Sequence, residues 1–143
     1  VRLLMKIDEL VLRGHLRRIL PSRALAAKEL AESASDLSSA KDALSRGDAK
    51  WATISAYYAM FHGAKALLLS NGFEERAHYA IAAVLEHMVR QGRIGPELAE
   101  YFKAAMSLRE KADYHYSHSE QAARQVVAMA EEFCKKIARV KNK

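Results

Sequence analysis

Apolar residues recur at the three- and four-residue spacing of an α-helix along nearly the whole chain, and no segment alternates with a period of two for long. The pattern predicts helices over about 3–19, 22–45, 49–70, 75–91, 96–112 and 118–140. Long helices that are joined by short loops pack against each other in antiparallel pairs. We therefore predict an all-α fold, an up-and-down antiparallel helical bundle of five to six helices.

Local signals set the ends of several of these helices. Asp48 is suited to be the N-cap of the third helix, and Asn71-Gly72 is a strong signal for its end. Residues 117–120 read Ser-His-Ser-Glu and fit a capping box, with Ser117 as the N-cap of the last helix. Residues 113–116 are thereby predicted to form a short connection between the last two helices.

Aromatic residues at helical spacing are predicted to pack in the core. In the third helix they form a stripe with aliphatic neighbours at spacings of three, four and seven: Trp51, Ile54, Tyr58, Phe61 and Leu68. Rings that are buried with hydroxyls at the edge of the core are expected for Tyr57, Tyr58, Tyr79 and Tyr101. His62 follows Phe61 and is expected to border this core with its polar atoms satisfied.

Length and composition favour one domain with one core. The chain has 143 residues, half of them hydrophobic, with only two prolines and six glycines. We expect a single domain over 1–143, with an N-terminal helix in 1–20, a core bundle over 22–140 and a basic tail at 141–143. No apolar run approaches the roughly 20 residues of a membrane span, and the first residues do not resemble a secretory signal. A cytoplasmic protein is expected, with the single Cys134 as a buried thiol in a reducing compartment.

The net charge of +6 is concentrated at the two ends of the chain. Residues 1–20 carry five basic and two acidic groups, residues 21–118 carry twelve of each, and residues 119–143 carry six and three. Such a distribution suits a polyanion as partner. Charge alone equally fits solvated helix faces with a lysine-rich tail.

Familiar catalytic motifs do not occur in the sequence. There is no glycine-rich phosphate loop, GxSxG elbow, CxxC pair, HExxH motif or EF-hand loop. The six histidines do not combine with cysteines or carboxylates at the spacing of zinc or di-iron sites. We therefore expect neither a metal nor another cofactor.

The pair Arg109 and His115 is the strongest candidate for chemistry. Positions six apart on a continuous helix lie about 120° from each other, so the two side chains would not share a face. A helix that ends near Ala112 would let the chain turn back and bring His115 toward Arg109, beside the N-terminus of the next helix. Such a group binds an anion and can cleave a phosphodiester, with the imidazole as acid or base. In the alternative interpretation Arg109 pairs with Glu110 or Asp113 and His115 caps a helix end.

Two longer strings resemble a known family. Residues 52–68 read Ala-Thr-Ile-Ser-Ala-Tyr-Tyr-Ala-Met-Phe-His-Gly-Ala-Lys-Ala-Leu-Leu. A second block holds His78, the apolar positions of the fourth helix and residues 108–114, Leu-Arg-Glu-Lys-Ala-Asp-Tyr, before a terminal helix that ends in Phe133-Cys134-Lys135-Lys136-Ile137. Both blocks, in this order, resemble the HEPN domain family and its small stand-alone prokaryotic branch, over about residues 22–140.

The resemblance implies a helical bundle that dimerises and, in many members, acts as a metal-independent ribonuclease toxin with a nucleotidyltransferase as its antitoxin. The Arg-x4-6-His motif of the family matches Arg109 and His115 here, as catalytic residues whose copies face each other across a dimer cleft. Glu110, Lys111 and Tyr116 are then the expected RNA contacts. Toxins that are regulated by adenylylation carry a tyrosine two residues after the histidine, where this chain has Ser117.

Two other functions are compatible with the same sequence. In the first, the chain is a non-catalytic module that binds a nucleotide or docks a nucleotidyltransferase chain. In the second, it is a purely structural helical dimer. RNA cleavage in the presence of EDTA separates the ribonuclease from both.

Overall fold

A computed structural model describes residues 2–114 and 119–140 of the chain, and the bundle predicted from the sequence is confirmed. The elements in chain order are α1 (Arg2–Leu12), β1 (Leu16–Arg18), α2 (Arg23–Ser45), α3 (Ala49–Ser70), β2 (Phe73–Glu75), α4 (His78–Arg90), α5 (Pro96–Tyr114) and α6 (Glu120–Ala138). Helices α2, α3, α5 and α6 run alternately up and down, and α4 packs against α5.

The central helix α3 has the two ends that the sequence predicts. The Asp48 side chain accepts a hydrogen bond from the Trp51 backbone N–H at 3.2 Å, which caps the N-terminus. At the other end Gly72 has φ of +86°, a conformation that strains any residue with a Cβ. A Cβ at this position would also lie 3.1 Å from the Ile19 carbonyl oxygen.

The core lies where α3 faces α5 and α6. Its largest fully buried side chains include Tyr57, Phe102 and Phe133, one from each of these helices. The predicted core stripe of α3 is confirmed for Ile54, Phe61 and Leu68, but Trp51 is 55% exposed. Trp51 lies in the first turn of α3, where the face that packs into the bundle holds the buried Ala52 and Thr53 instead. Tyr79 was also predicted to be buried, and it is 46% exposed in the second position of α4.

A small antiparallel sheet replaces parts of two predicted helices. The first helix ends at Leu12 instead of continuing to about residue 19, and the fourth begins at His78 instead of about residue 75. Residues 16–18 pair with residues 73–75, with Leu16 opposite Glu75. These ladder hydrogen bonds join segments that are far apart in sequence, so helical periodicity gave no indication of them.

The helices on either side of the predicted connection also differ from the prediction. Helix α5 continues to Tyr114, two residues beyond the predicted end at Ala112, because neither glycine nor proline interrupts it there. Helix α6 begins at Glu120 with Ser119 as its N-cap, so the prediction of Ser117 was wrong by two positions. The Ser119 side chain accepts from the Ala122 backbone N–H at 3.1 Å.

Within the part of the chain that the structure describes, none of the helices combines the length and the apolar character that a bilayer crossing requires.

Candidate functional site

Arg109 lies in the last turns of α5, where its guanidinium packs against two tyrosines of α3. The guanidinium carbon is 5.7 Å from the ring centroid of Tyr57 and 5.7 Å from that of Tyr58. The Arg109 Nη2–H donates a hydrogen bond to the Tyr58 hydroxyl, with 3.3 Å between the nitrogen and the oxygen. Cation–π contacts of this kind hold a guanidinium in place against the faces of the rings. These contacts therefore give the Arg109 guanidinium a fixed direction.

The two tyrosines are neighbours in sequence and lie edge to face, with ring centroids 5.1 Å apart. Tyr57 is fully buried, whereas Tyr58 is half-buried. Adjacent positions on a helix differ by about 100°, so one ring fills the core and the other reaches its rim. Together they form the platform on which Arg109 rests.

His78 completes this group from the start of α4. Its Nδ1 lies 2.9 Å from the Tyr57 hydroxyl oxygen, and its ring centroid is 4.6 Å from that of Phe61. The residue as a whole is exposed to solvent. Helix α4 has Ala77 at its N-cap, which provides no side-chain cap.

Charges in this group act on one another. Burial raises the pKa of Tyr57 to about 12, against the opposing influence of the Arg109 charge. Burial also lowers the pKa of His78 below its ordinary value, and the charges of Arg109 and Lys65 lower it further, against the opposing influence of Glu75. At neutral pH Tyr57 therefore keeps its proton and His78 is neutral.

Lys65 and Glu75 form a largely buried pair whose charges act on His78. The Lys65 ammonium nitrogen is 3.8 Å from a carboxylate oxygen of Glu75, and these side chains are 27% and 11% exposed. The pair joins α3 to β2, and so the small sheet positions a carboxylate next to the site.

His62 borders the core with its polar atoms satisfied, as predicted. Its Nδ1 is 2.6 Å from a carboxylate oxygen of Glu29, and its Nε2 is 3.6 Å from one of Asp36. Burial raises the pKa of Asp36, and the His62 charge opposes that change. These contacts tie α3 to α2.

Among the residues predicted from sequence to carry function, the structure describes three. Arg109 is half-buried on its tyrosine platform, while Glu110 and Lys111 are exposed on the next positions of α5. His115 and Tyr116 lie outside the described residues, and so does the predicted turn that would bring His115 toward Arg109.

The sequence interpretation assigned no site role to Tyr57, Tyr58 or His78, although each belongs to this group. In the sequence, the Tyr-Tyr pair and His78 stand out only as parts of strings that resemble a family, and helical spacing predicts the tyrosines as core residues. These residues lie more than 30 positions from Arg109 in the chain, and the fold brings them together. No local sequence pattern indicates such long-range contacts.

Cys134 is a poor nucleophile in its position on α6. Its Sγ lies 3.3 Å from the Ser33 hydroxyl oxygen, and burial raises the pKa of the thiol. Nor does any group of three His, Cys, Asp or Glu side chains within residues 2–114 and 119–140 have the arrangement of a metal site.

Comparison with known proteins identifies relatives over most of this chain. The profile of a family described as HEPN domain matches residues 27–141. A protein of Methanocaldococcus jannaschii named "Putative toxin MJ0605" is 33% identical over 84 residues, which cover 57% of this chain and 63% of that protein. An Archaeoglobus fulgidus protein named "UPF0332 protein" is 31% identical over 90 residues, 62% of this chain and 72% of its own length.

A third relative is the "UPF0332 protein PH1297" of Pyrococcus horikoshii, which is 38% identical over 73 residues, covering 50% of this chain and 51% of that protein. The chain thus spans between about half and three quarters of the length of these relatives.

Proposed function

This chain belongs to the HEPN domain family, and from that premise we propose that it is a metal-independent endoribonuclease that acts as a toxin. Arg109 and His115 are its catalytic residues. His115 serves as general base for the attack of the RNA 2′-hydroxyl on the adjacent phosphorus and as general acid for the leaving 5′-oxygen. Arg109 stabilises the charge of the pentacoordinate phosphorus. The product strand ends in a cyclic phosphate.

The observation that supports this proposal best is the platform of Arg109. Two tyrosine rings and the Tyr58 hydroxyl fix the guanidinium at a half-buried position. A fixed cation stabilises a developing anion without a cost for reorganisation during the reaction. The name of the Methanocaldococcus relative agrees with the role of a toxin.

Substrate contacts and partners form the second part of the proposal. Glu110 and Lys111 are exposed beside Arg109, where an RNA strand can reach them, and Tyr116 is the third proposed contact. The net charge of +6 favours a polyanion. We propose that the chain works as a homodimer with two facing motifs, and that a nucleotidyltransferase protein is its antitoxin.

Cleavage of single-stranded RNA by the purified chain in the presence of EDTA tests the activity. The wild type is expected to give cyclic phosphate ends, and Arg109→Ala and His115→Ala are each expected to lower the rate by roughly 100-fold or more. Arg46→Ala is the matched control, because Arg46 is an exposed arginine at the end of α2 that pairs with Asp42.

Cleavage that persists in both Arg109→Ala and His115→Ala would contradict the assignment. If the wild type binds RNA or co-purifies with a nucleotidyltransferase but does not cleave, the chain is instead the non-catalytic module that the sequence also allows.

A further inference from the structure

The hydrogen bond between Tyr57 and His78 fixes which nitrogen of the imidazole carries the proton. Tyr57 is fully buried, so its hydroxyl needs an acceptor inside the protein. Among the side chains that the structure describes, its partner is His78 Nδ1 at 2.9 Å. A neutral imidazole that accepts at Nδ1 carries its hydrogen on Nε2. His78 therefore presents an N–H donor at Nε2.

We propose that the His78 Nε2–H is a phosphate-binding donor that acts beside Arg109 on the RNA strand. The inference rests on the proposed function for its substrate class and adds a residue from α4 to it. Arg109 and His78 both contact Tyr57, the first on the ring face and the second at the hydroxyl. The Arg109 charge also acts on His78, so the two side chains are close enough to serve one phosphodiester.

The local charges suit an anion at this position. Arg109 and Lys65 are both close enough to disfavour a proton on His78, and Glu75 is paired with Lys65. The imidazole therefore stays neutral beside the Arg109 charge, as expected of a donor that orients a phosphate without titrating at neutral pH. The positive charge that binds the phosphate comes from Arg109.

If His78 served only as the acceptor for the buried Tyr57 hydroxyl, its substitution would affect RNA binding differently. Two amide variants separate this structural role from the proposed phosphate-binding role. His78→Asn places an acceptor oxygen near the Nδ1 position and loses the outer donor. His78→Gln extends an amide N–H to about the position of Nε2. His78→Ala removes both groups, and His87→Ala is the matched control on the same helix about 13 Å away.

The measurement is binding of a 2′-O-methyl RNA oligomer to the full chain, since this ligand lacks the nucleophile and cannot be cleaved. We expect His78→Ala and His78→Asn to raise Kd roughly tenfold or more, as for a lost hydrogen bond to a charged group. His78→Gln and His87→Ala should stay within about threefold of the wild type. Thermal melting of each variant verifies that the chain is folded.

The opposite order, with His78→Asn binding normally and His78→Gln binding weakly, would overturn the proposal in favour of the structural role. Equal Kd values for all four variants would overturn it too. The imidazole 15N shifts give a second readout, because protonation at Nδ1 rather than Nε2 in the folded chain would contradict it. A chain that binds the oligomer in a His78-dependent way but never cleaves RNA would refute the proposed function and leave this inference standing.

Discussion

The Tyr58 hydroxyl accepts a hydrogen bond from the Arg109 guanidinium and so helps to set its direction. Tyr58→Phe removes only this oxygen. Since Tyr58 is half-buried, water can replace the lost bond, and the free energy of unfolding should fall by less than about 1 kcal/mol. Cleavage, which needs the arginine in position, should slow roughly tenfold.

The control for that variant is Tyr101→Phe. The Tyr101 hydroxyl donates to Glu132 at 2.6 Å between α5 and α6, away from Arg109. Both variants should melt within a few degrees of the wild type, and only Tyr58→Phe should lose activity. Equal activity of the two variants in an RNA cleavage assay would show that the Tyr58 hydroxyl does not position Arg109.

The histidines of α4 make stability depend on pH in a definite direction. Burial lowers the pKa of both His78 and His87 below the ordinary value of 6.5. The unfolded chain therefore takes up protons first as the pH falls below about 6.5, and stability is lost on acidification. Thermal melting between pH 7.5 and pH 5.5 should show a falling midpoint. A double variant, His78→Gln with His87→Gln, should show a flatter profile, and an unchanged slope would refute this origin.

The residues of the site differ in how far sequence could identify them. Arg109 belongs to a short string that could be recognised, and the structure gives it a fixed place. Tyr58 was assigned to the core because it falls on the apolar stripe of α3, and a stripe does not tell a ring in the core from a ring at its rim. The link between Tyr57 and His78 depends on how α4 is placed against α3, which is a property of the fold.

At the scale of elements, some boundaries can likewise be predicted from the sequence and others depend on the fold. Both ends of α3 follow from Asp48 and from Asn71-Gly72, since these residues act on the backbone next to them. The strands β1 and β2 are three residues each, too short for a periodic signal, and each forms because the other is near. Sequence therefore predicts the long helices and misses elements whose stability comes from distant pairing.

The start of α6 offers a direct test between two serines. Because the Ser119 side chain accepts from the Ala122 backbone N–H, Ser119→Ala should lower the free energy of unfolding by about 1 kcal/mol. Ser117→Ala removes the serine that the capping-box interpretation had chosen, and it should change stability by less than about 0.5 kcal/mol. Urea unfolding of both variants decides between the two serines. A larger loss of unfolding free energy for Ser117→Ala would support Ser117 as the N-cap of α6.

At the scale of the whole molecule, the proposed pairing of Arg109 with His115 within one small bundle poses a geometric problem. Helix α5 is continuous through Tyr114, so its own geometry does not turn the chain back toward Arg109. In a dimer with two facing motifs the chain does not need to turn back toward its own Arg109, because the arginine of one chain can act with the histidine of the other. The proposed homodimer therefore bears directly on catalysis.

Mixing two inactive variants tests this arrangement. Arg109→Ala and His115→Ala chains that are mixed and allowed to exchange form hetero-dimers with one intact arginine and one intact histidine. If the cleft is shared, these hetero-dimers should recover a measurable fraction of wild-type RNA cleavage. Native mass spectrometry measures the fraction of mixed dimers, so that activity can be compared with their amount.

The control for the mixing experiment is Arg109→Ala combined with the double variant Arg109→Ala/His115→Ala, which restores no arginine and should stay inactive. Mixed dimers of the two single variants without any activity would mean that each protomer must supply both groups itself. The chain would then have to turn sharply between the end of α5 at Tyr114 and the cap of α6 at Ser119, and this turn would become the feature on which catalysis depends.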